Sequence, residues 1–266
     1  MRAEKLFAKR LLWISLTLLC AVRACPQGEP LRVAAAADLK FAMADLAQQF
    51  EKLTGNKIDA TYGSSGNFFA QIQNGAPFDL FFSADIEYPS QLQSAGLTEP
   101  GTLWKYAVGR IVIWTPADAV VNTGAGWKAL LDDKVHKIAI ANPEHAPYGR
   151  AAVAALRKAG IYDEVKSKLV YGENISQAAQ FVQSGNAQAG ILAMSLTLSA
   201  AMKDGKSWEI PAEMHPPIEQ AAVVLKAAKN KKAALGFLEY VKSDAGRATL
   251  AKYGFTSPAA TSEHNQ

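Results

Sequence analysis

Apolar and polar positions along the chain switch repeatedly between two periods. Leu31-Arg32-Val33-Ala34-Ala35 is a nearly unbroken apolar run of strand length. It leads into a segment where Leu39, Met43, Leu46, Phe50 and Leu53 recur at steps of four, three, four and three. That spacing puts them on one face of an α-helix, which Thr54-Gly55-Asn56 ends. A strand over 57–62, the turn Gly63-Ser64-Ser65-Gly66-Asn67, a helix carrying Phe68, Phe69 and Ile72, and a strand over 78–82 follow. The alternation resumes with strands over 108–114, 137–141, 169–171, 190–193 and 221–225, and helices over 149–159, 176–182, 231–241 and 244–253. Strands alternating with helices predict an α/β fold whose helices cover the sheet faces. The sequence holds no internal repeat, low-complexity tract or long linker. Two lobes would therefore be joined by ordered crossing strands, expected at 108–114 and 221–225.

The first thirty residues stand apart. Lys5, Lys9 and Arg10 precede an apolar run from Leu11 to Cys20 and a small-residue stretch ending at Cys25. This order reads as a secretory signal peptide over 1–24, cut before Cys25. The apolar run is about half of the ~20 residues needed to span a bilayer. The same segment is a poor version of a lipoprotein site, with Arg23 set against attachment of a lipid anchor at Cys25. Removing 1–24 takes five of the 28 basic residues and one of the 24 acidic ones. That leaves 23 of each and no net charge, so the chain offers no electrostatic case for nucleic acid or a membrane surface. With at most one cysteine in the mature chain, no internal disulfide forms.

Three strand-to-helix junctions carry the candidate chemistry: Ala36-Ala37-Asp38, Gly63-Ser64-Ser65-Gly66 and Ala146-Pro147-Tyr148-Gly149. A helix start leaves N–H groups unpaired and carries partial positive charge, so it can hold an anion without lysine or arginine. Small residues let the backbone approach a ligand, and Ser64 and Ser65 add hydroxyls. The plainer reading is that Asp38 and Ser65 are N-caps, and that Asn174-Ile175 is an ordinary helix entry. Catalytic patterns are lacking. Asn67 breaks a G-x-S-x-G elbow, no P-loop lysine follows, and His136, His145, His215 and His264 have no metal-ligand spacing. No catalysis, cofactor or protein-ligated metal is expected, and His145 reads as a loop-shaping residue between Pro143 and Pro147.

Taken together, several segments resemble the periplasmic molybdate-binding proteins of ABC importers. They are the Ala34-to-Leu39 start, Ser64-Ser65 before a helix, 75–85 (GAPFDLFFSAD), 142–147 (NPEHAP) and the closing Tyr253-Gly254-Phe255. The resemblance implies a two-lobed type II periplasmic binding fold of lobe 1 (31–108), lobe 2 (109–220) and a return segment of lobe 1 (221–258). It further implies a monomer that delivers a tetrahedral oxyanion, molybdate or tungstate, to a membrane permease with its cytoplasmic ATPase. By position, the ligand contacts fall on Asp38, Ser65 and the N–H groups of Tyr148 and Ile175, with Leu39, Ser64, Asn174 and Ala193 in support.

Two positions depart from that pattern. Ala193 stands where a ligand-binding tyrosine is expected, and Tyr148 is the candidate to supply that hydroxyl. Asp38 stands where serine is expected. An ionised carboxylate ~4 Å from a dianion is repelled by at least ~4 kcal/mol at an effective dielectric near 20. Asp38 can turn inward as an N-cap, bind in protonated form, or accept a hydrogen bond from a protonated oxyanion such as hydrogen phosphate or arsenate. The first is the leading reading, and the third would change the ligand. A secreted hydrolase with Ser65 as nucleophile is a remote alternative that requires a general base beside Ser65.

Overall fold

A computed structural model describes residues 29–258 of the chain; the leader and Cys25 lie outside the described residues. In chain order the first elements are β1 (Leu31–Ala36), α1 (Lys40–Thr54), β2 (Ile58–Gly63), α2 (Ser65–Gln73), β3 (Leu80–Ser83), α3 (Glu87–Ser94) and β4 (Trp104–Gly109). There follow β5 (Ile111–Thr115), α4 (Lys128–Leu131), β6 (Ile138–Ala141), α5 (Pro147–Lys158), α6 (Tyr162–Val165), β7 (Leu169–Gly172), α7 (Ile175–Gln183), β8 (Ala189–Ala193), α8 (Met194–Thr197) and β9 (Lys206–Glu209). The chain closes with β10 (Ile218–Val224), α9 (Lys231–Lys242) and α10 (Asp244–Lys252).

The strands form two five-stranded mixed sheets, ordered β2-β1-β3-β10-β4 and β7-β6-β8-β5-β9. In the first, β1 runs parallel to β2 and β3 while β10 is antiparallel to β3 and β4. The second repeats the plan, with β6 parallel to β7 and β8, and β5 antiparallel to β8 and β9. Both faces of the first sheet are covered, which is why β1 and β3 read as apolar runs rather than alternations. Val33, Ala35, Leu80 and Phe82 pack on one face with Met43, Leu46, Phe50 and Phe237, from α1 and α9. Ala34, Phe81 and Val223 pack on the other with Phe68, Ile72 and Leu92, from α2 and α3.

Three sequence expectations need correction. Leu53 lies outside the α1 core face and is 71% exposed, because the helix ends in its own next residue, with Gly55 in the left-handed conformation as cap. The strand expected over 108–114 is two strands broken at Arg110, the single residue at which the chain leaves the first sheet for the second. Nor is 221–225 a crossing. β10 lies wholly in the first sheet, and residues 210–217 make the return from β9. An apolar strand pattern shows that a segment is buried, not which of two sheets buries it.

At the start of α5, Gly149 sits so close to the end of β6 that a Cβ there would lie 2.2 Å from the Ala141 carbonyl oxygen. This contact fixes where the first turn of α5 points. Gly149→Ala should therefore cost about 1–3 kcal/mol through overpacking, lowering the urea midpoint by a corresponding amount. An unchanged midpoint would contradict the close approach.

Candidate functional site

The carboxyl ends of β1, β2, β6 and β7 lead through short connections into helix starts, the place where open α/β sheets put ligands. These starts meet between the sheets around a small pocket. It is lined by Ala36, Ala37 and Asp38, by Gly63, Ser64 and Ser65, by Ala84, and by Ala146, Pro147, Tyr148, Asn174 and Ile175. No lysine, arginine or histidine is among them. Larger crevices on the surface are open and bear charges such as Asp85, Glu87 and Arg150.

Ser65, Tyr148 and Ile175 each occupy the first turn of a helix, at α2, α5 and α7. They are only 1%, 2% and 3% exposed. Among the described residues none of their three N–H groups has an acceptor. The caps explain why. Ser64 accepts from the Asn67 N–H and Asn174 from the Gln177 N–H, so each side chain serves the third helical residue and leaves the first N–H free. At α5, Ala146 supplies no side-chain cap, and Pro147 at the first position has no N–H of its own. The Ser65 hydroxyl accepts the Ala84 N–H at 2.9 Å, and its own proton has no acceptor among the described residues.

Asp38 is not an N-cap. It lies inside a short 3-10 turn over Ala37–Leu39 that runs into α1, and its side chain caps nothing. The carboxylate does turn inward, but toward tertiary partners. Oδ2 accepts from the Tyr148 hydroxyl at 2.9 Å and from Gln220 Nε2 at 2.7 Å. Gln220 Nε2 also donates to the Tyr148 hydroxyl oxygen at 3.0 Å, and Gln220 Oε1 accepts from Tyr106 at 2.6 Å. Oδ1 is buried without a hydrogen-bond partner among the described residues. Burial pushes the Asp38 carboxyl up from 3.8 to about 6, against the opposing pull of Gln220, Tyr148 and the nearby N–H groups of Asp38 and Leu39. Burial first, and then the Asp38 charge, hold the Tyr148 and Tyr106 hydroxyls well above the usual phenol range, so both remain donors. Gly109 makes room for this cluster, since a Cβ there would lie 2.3 Å from the Tyr148 hydroxyl.

The expectation that Tyr148 supplies a hydroxyl in place of the missing tyrosine is thereby corrected: its proton is committed to Asp38. Leu39 and Ala193 do not line the pocket; both are fully buried, Leu39 against the α1 face. Several residues passed over in the sequence hold the cleft shut. Ser176 donates to the Ala37 carbonyl at 2.9 Å and Ser195 to the Asp38 carbonyl at 2.8 Å. His145, beyond shaping its loop, accepts the Gly66 N–H on its carbonyl at 3.0 Å and sets Nδ1 2.9 Å from the Ser64 hydroxyl. Gln220 did carry a signal: it is the one uncharged polar residue of the otherwise apolar, inward-facing set in Ile218–Val224.

Similarity to known proteins shows the family. The family model of the bacterial extracellular solute-binding proteins matches residues 31–256. The chain is 41% identical to the molybdate-binding protein ModA of Azotobacter vinelandii over 90% of its own length and 92% of that protein's. It is 36% identical to ModA of Rhodobacter capsulatus, over 84% and 87% of the two lengths. The solved structure of the Azotobacter vinelandii periplasmic molybdate-binding protein superposes with a TM-score of 0.80 at 35% identity, covering 86% of this chain and 99% of that one. With its two mixed α/β sheets and these relatives, the chain belongs to the bacterial extracellular solute-binding proteins, among the periplasmic molybdate-binding proteins.

Proposed function

We propose that the protein is the periplasmic receptor of an ABC importer, capturing molybdate or tungstate in the pocket between its lobes and handing it to a membrane permease driven by a cytoplasmic ATPase. One observation carries the ligand class: three buried helix-start N–H groups with no acceptor among the described residues converge on one small pocket that has no cationic side chain. Such a site suits an anion held by dipoles and hydrogen bonds alone. The relatives named molybdate-binding support the choice among oxyanions. The Ser65 hydroxyl and the N–H groups of Ser65, Tyr148 and Ile175 would hold the anion's oxygens, with Ser64 and Asn174 fixing the helix starts. The receptor acts as a monomer in the periplasm. Among the described residues no helix is long and apolar enough to cross a membrane.

The other readings find less support. His145 reaches Ser64, which is itself a helix cap closed between the lobes, and among the described residues no base bonds to Ser65. Hydrolysis through Ser65 therefore lacks its proton acceptor. Asp38 Oδ2 is taken by Gln220 and Tyr148 while Oδ1 has no partner among the described residues, so the preference for molybdate over a protonated phosphate or arsenate rests on the relatives named molybdate-binding.

A thermal-shift panel of molybdate, tungstate, sulfate, phosphate and arsenate tests the assignment directly. The true ligand at ~100 times its dissociation constant adds ~2.7 kcal/mol of stability, and a response to phosphate alone would contradict molybdate. Ser65→Ala should leave the fold intact and weaken molybdate binding by about 10- to 100-fold, the loss of one hydrogen bond to a charged partner. Unchanged affinity would make Ser65 a packing residue only. Because the donors are buried and uncharged, affinity should change little between low and high salt. A steep fall would point instead to a cationic surface site.

A further inference from the structure

The hydrogen bonds of Asp38 are lopsided in a way that its packing alone does not require. Oδ2 receives two donors, the Tyr148 hydroxyl and Gln220 Nε2, while Oδ1 of the same fully buried carboxyl receives none among the described residues. The residue lines the pocket together with the free N–H groups of Ser65, Tyr148 and Ile175. A proton placed on Oδ2 would face two donors and have nothing to bond to. On Oδ1 it leaves both existing bonds intact and turns an orphaned acceptor into a donor, on a residue that lines the pocket.

We propose that Asp38 is a proton-loaded ligand to the oxyanion: closure on a doubly charged anion draws one proton from solvent onto Oδ1, and that O–H donates to an oxygen of the anion. This rests on the oxyanion reading above. The step is an acid–base one only. Water or buffer gives up the proton, the carboxylate becomes a carboxylic acid, and no other bond changes.

Burial opposes the charged form of the carboxyl, while hydrogen bonding from Gln220, Tyr148 and the N–H groups of Asp38 and Leu39 favours it. Tyr148 from α5 and Tyr106 from β4 remain protonated, Gln220 from β10 is neutral, and Ser195 from α8 bonds to the main-chain oxygen. No lysine, arginine, histidine or second carboxylate contributes to the environment of the carboxyl, so nothing there stabilises its negative charge by ion pairing. Burial already favours the neutral form, and a neighbouring dianion favours it further. A carboxylic acid here also removes the conflict between an aspartate and an anionic ligand without moving the side chain.

The sign of the pH dependence follows. Binding takes up a proton, so affinity is highest at acid pH and falls tenfold for each pH unit above the carboxyl's own titration, about thirtyfold between pH 7 and 8.5. Isothermal titration of the full mature protein with sodium molybdate at pH 8, in buffers of differing ionisation enthalpy, counts the protons directly. We expect about one proton taken up per anion bound. Asp38→Asn mimics the neutral acid, its amide oxygen facing Tyr148 and Gln220 and its NH₂ taking the place of Oδ1–H. It should bind without proton uptake, with affinity constant from pH 7 to 8.5 and tighter than wild type at pH 8.5. Asp38→Ser, which lacks the carboxyl altogether, should likewise take up none.

Wild-type binding without proton uptake overturns the proposal. So does uptake that persists in the variants, and so does uptake by wild type joined to loss of binding in Asp38→Asn, which would put the proton on the anion. An absence of both heat and thermal shift with molybdate and tungstate alike overturns the molybdate–tungstate reading, and the proposal with it.

Discussion

Backbone N–H groups at a helix start are harmless while they face water. Closed off without an acceptor, each costs about 1–3 kcal/mol. In this protein three such starts, at Ser65, Tyr148 and Ile175, are buried against one another where the two sheets meet. The rest of the architecture serves that convergence. The parallel strands β1, β2, β6 and β7 all end toward it, Pro147 and the caps Ser64 and Asn174 leave the leading N–H groups free, and Gly149 brings α5 down onto β6. An anion that satisfies all three donors removes the penalty for closure, which gives the ligand differential affinity for the closed state, the requirement for a binding-driven hinge.

Closure has its own fastening as well. Ser176 and Ser195 of the second lobe donate to consecutive carbonyls at Ala37 and Asp38, and Tyr148 reaches across to the Asp38 side chain. These bonds all lock onto the same 3-10 turn at the end of β1. Gln220 and Tyr106, beside the two passages between the sheets, complete the network. The polar groups at the centre of the molecule thus tie ligand pocket, lobe contact and hinge into one hydrogen-bonded unit. Such a unit rigidifies the closed state when every member is satisfied, and among the described residues Asp38 Oδ1 is a side-chain acceptor in it left without a partner.

Much of this was legible in the sequence because it depends on local periodicity and on small residues at junctions. The α1 face of Leu39, Met43, Leu46 and Phe50, the buried strand at Phe81-Phe82 and the helix starts at Ser65, Tyr148 and Ile175 all leave short-range patterns. The passages between sheets leave none. Only Gly109-Arg110 separates the apolar stretches on either side of the first passage, and β10 is as apolar as a crossing strand would be. The role of Asp38 leaves no local trace either. Aspartate at a helix entry has a strong local preference for capping, whereas its partners here, Tyr148 and Gln220, lie 110 and 182 residues away and are brought to it only by the fold. Ala193 shows the reverse: a position transferred by resemblance, with a side chain too short to leave its own core.

The central claim is that uncharged donors at three helix starts hold the anion. A crystal structure of the molybdate complex, with the metal located by its anomalous scattering, tests it most directly. The account predicts one tetrahedral anion between the lobes, its oxygens within about 3.2 Å of the N–H groups of Ser65, Tyr148 and Ile175 and of the Ser65 hydroxyl, with no lysine or arginine in contact. Density for the anion elsewhere, such as in the crevice beside Arg150 and Asp85, or an anion that touches fewer than two of those three N–H groups, would contradict it.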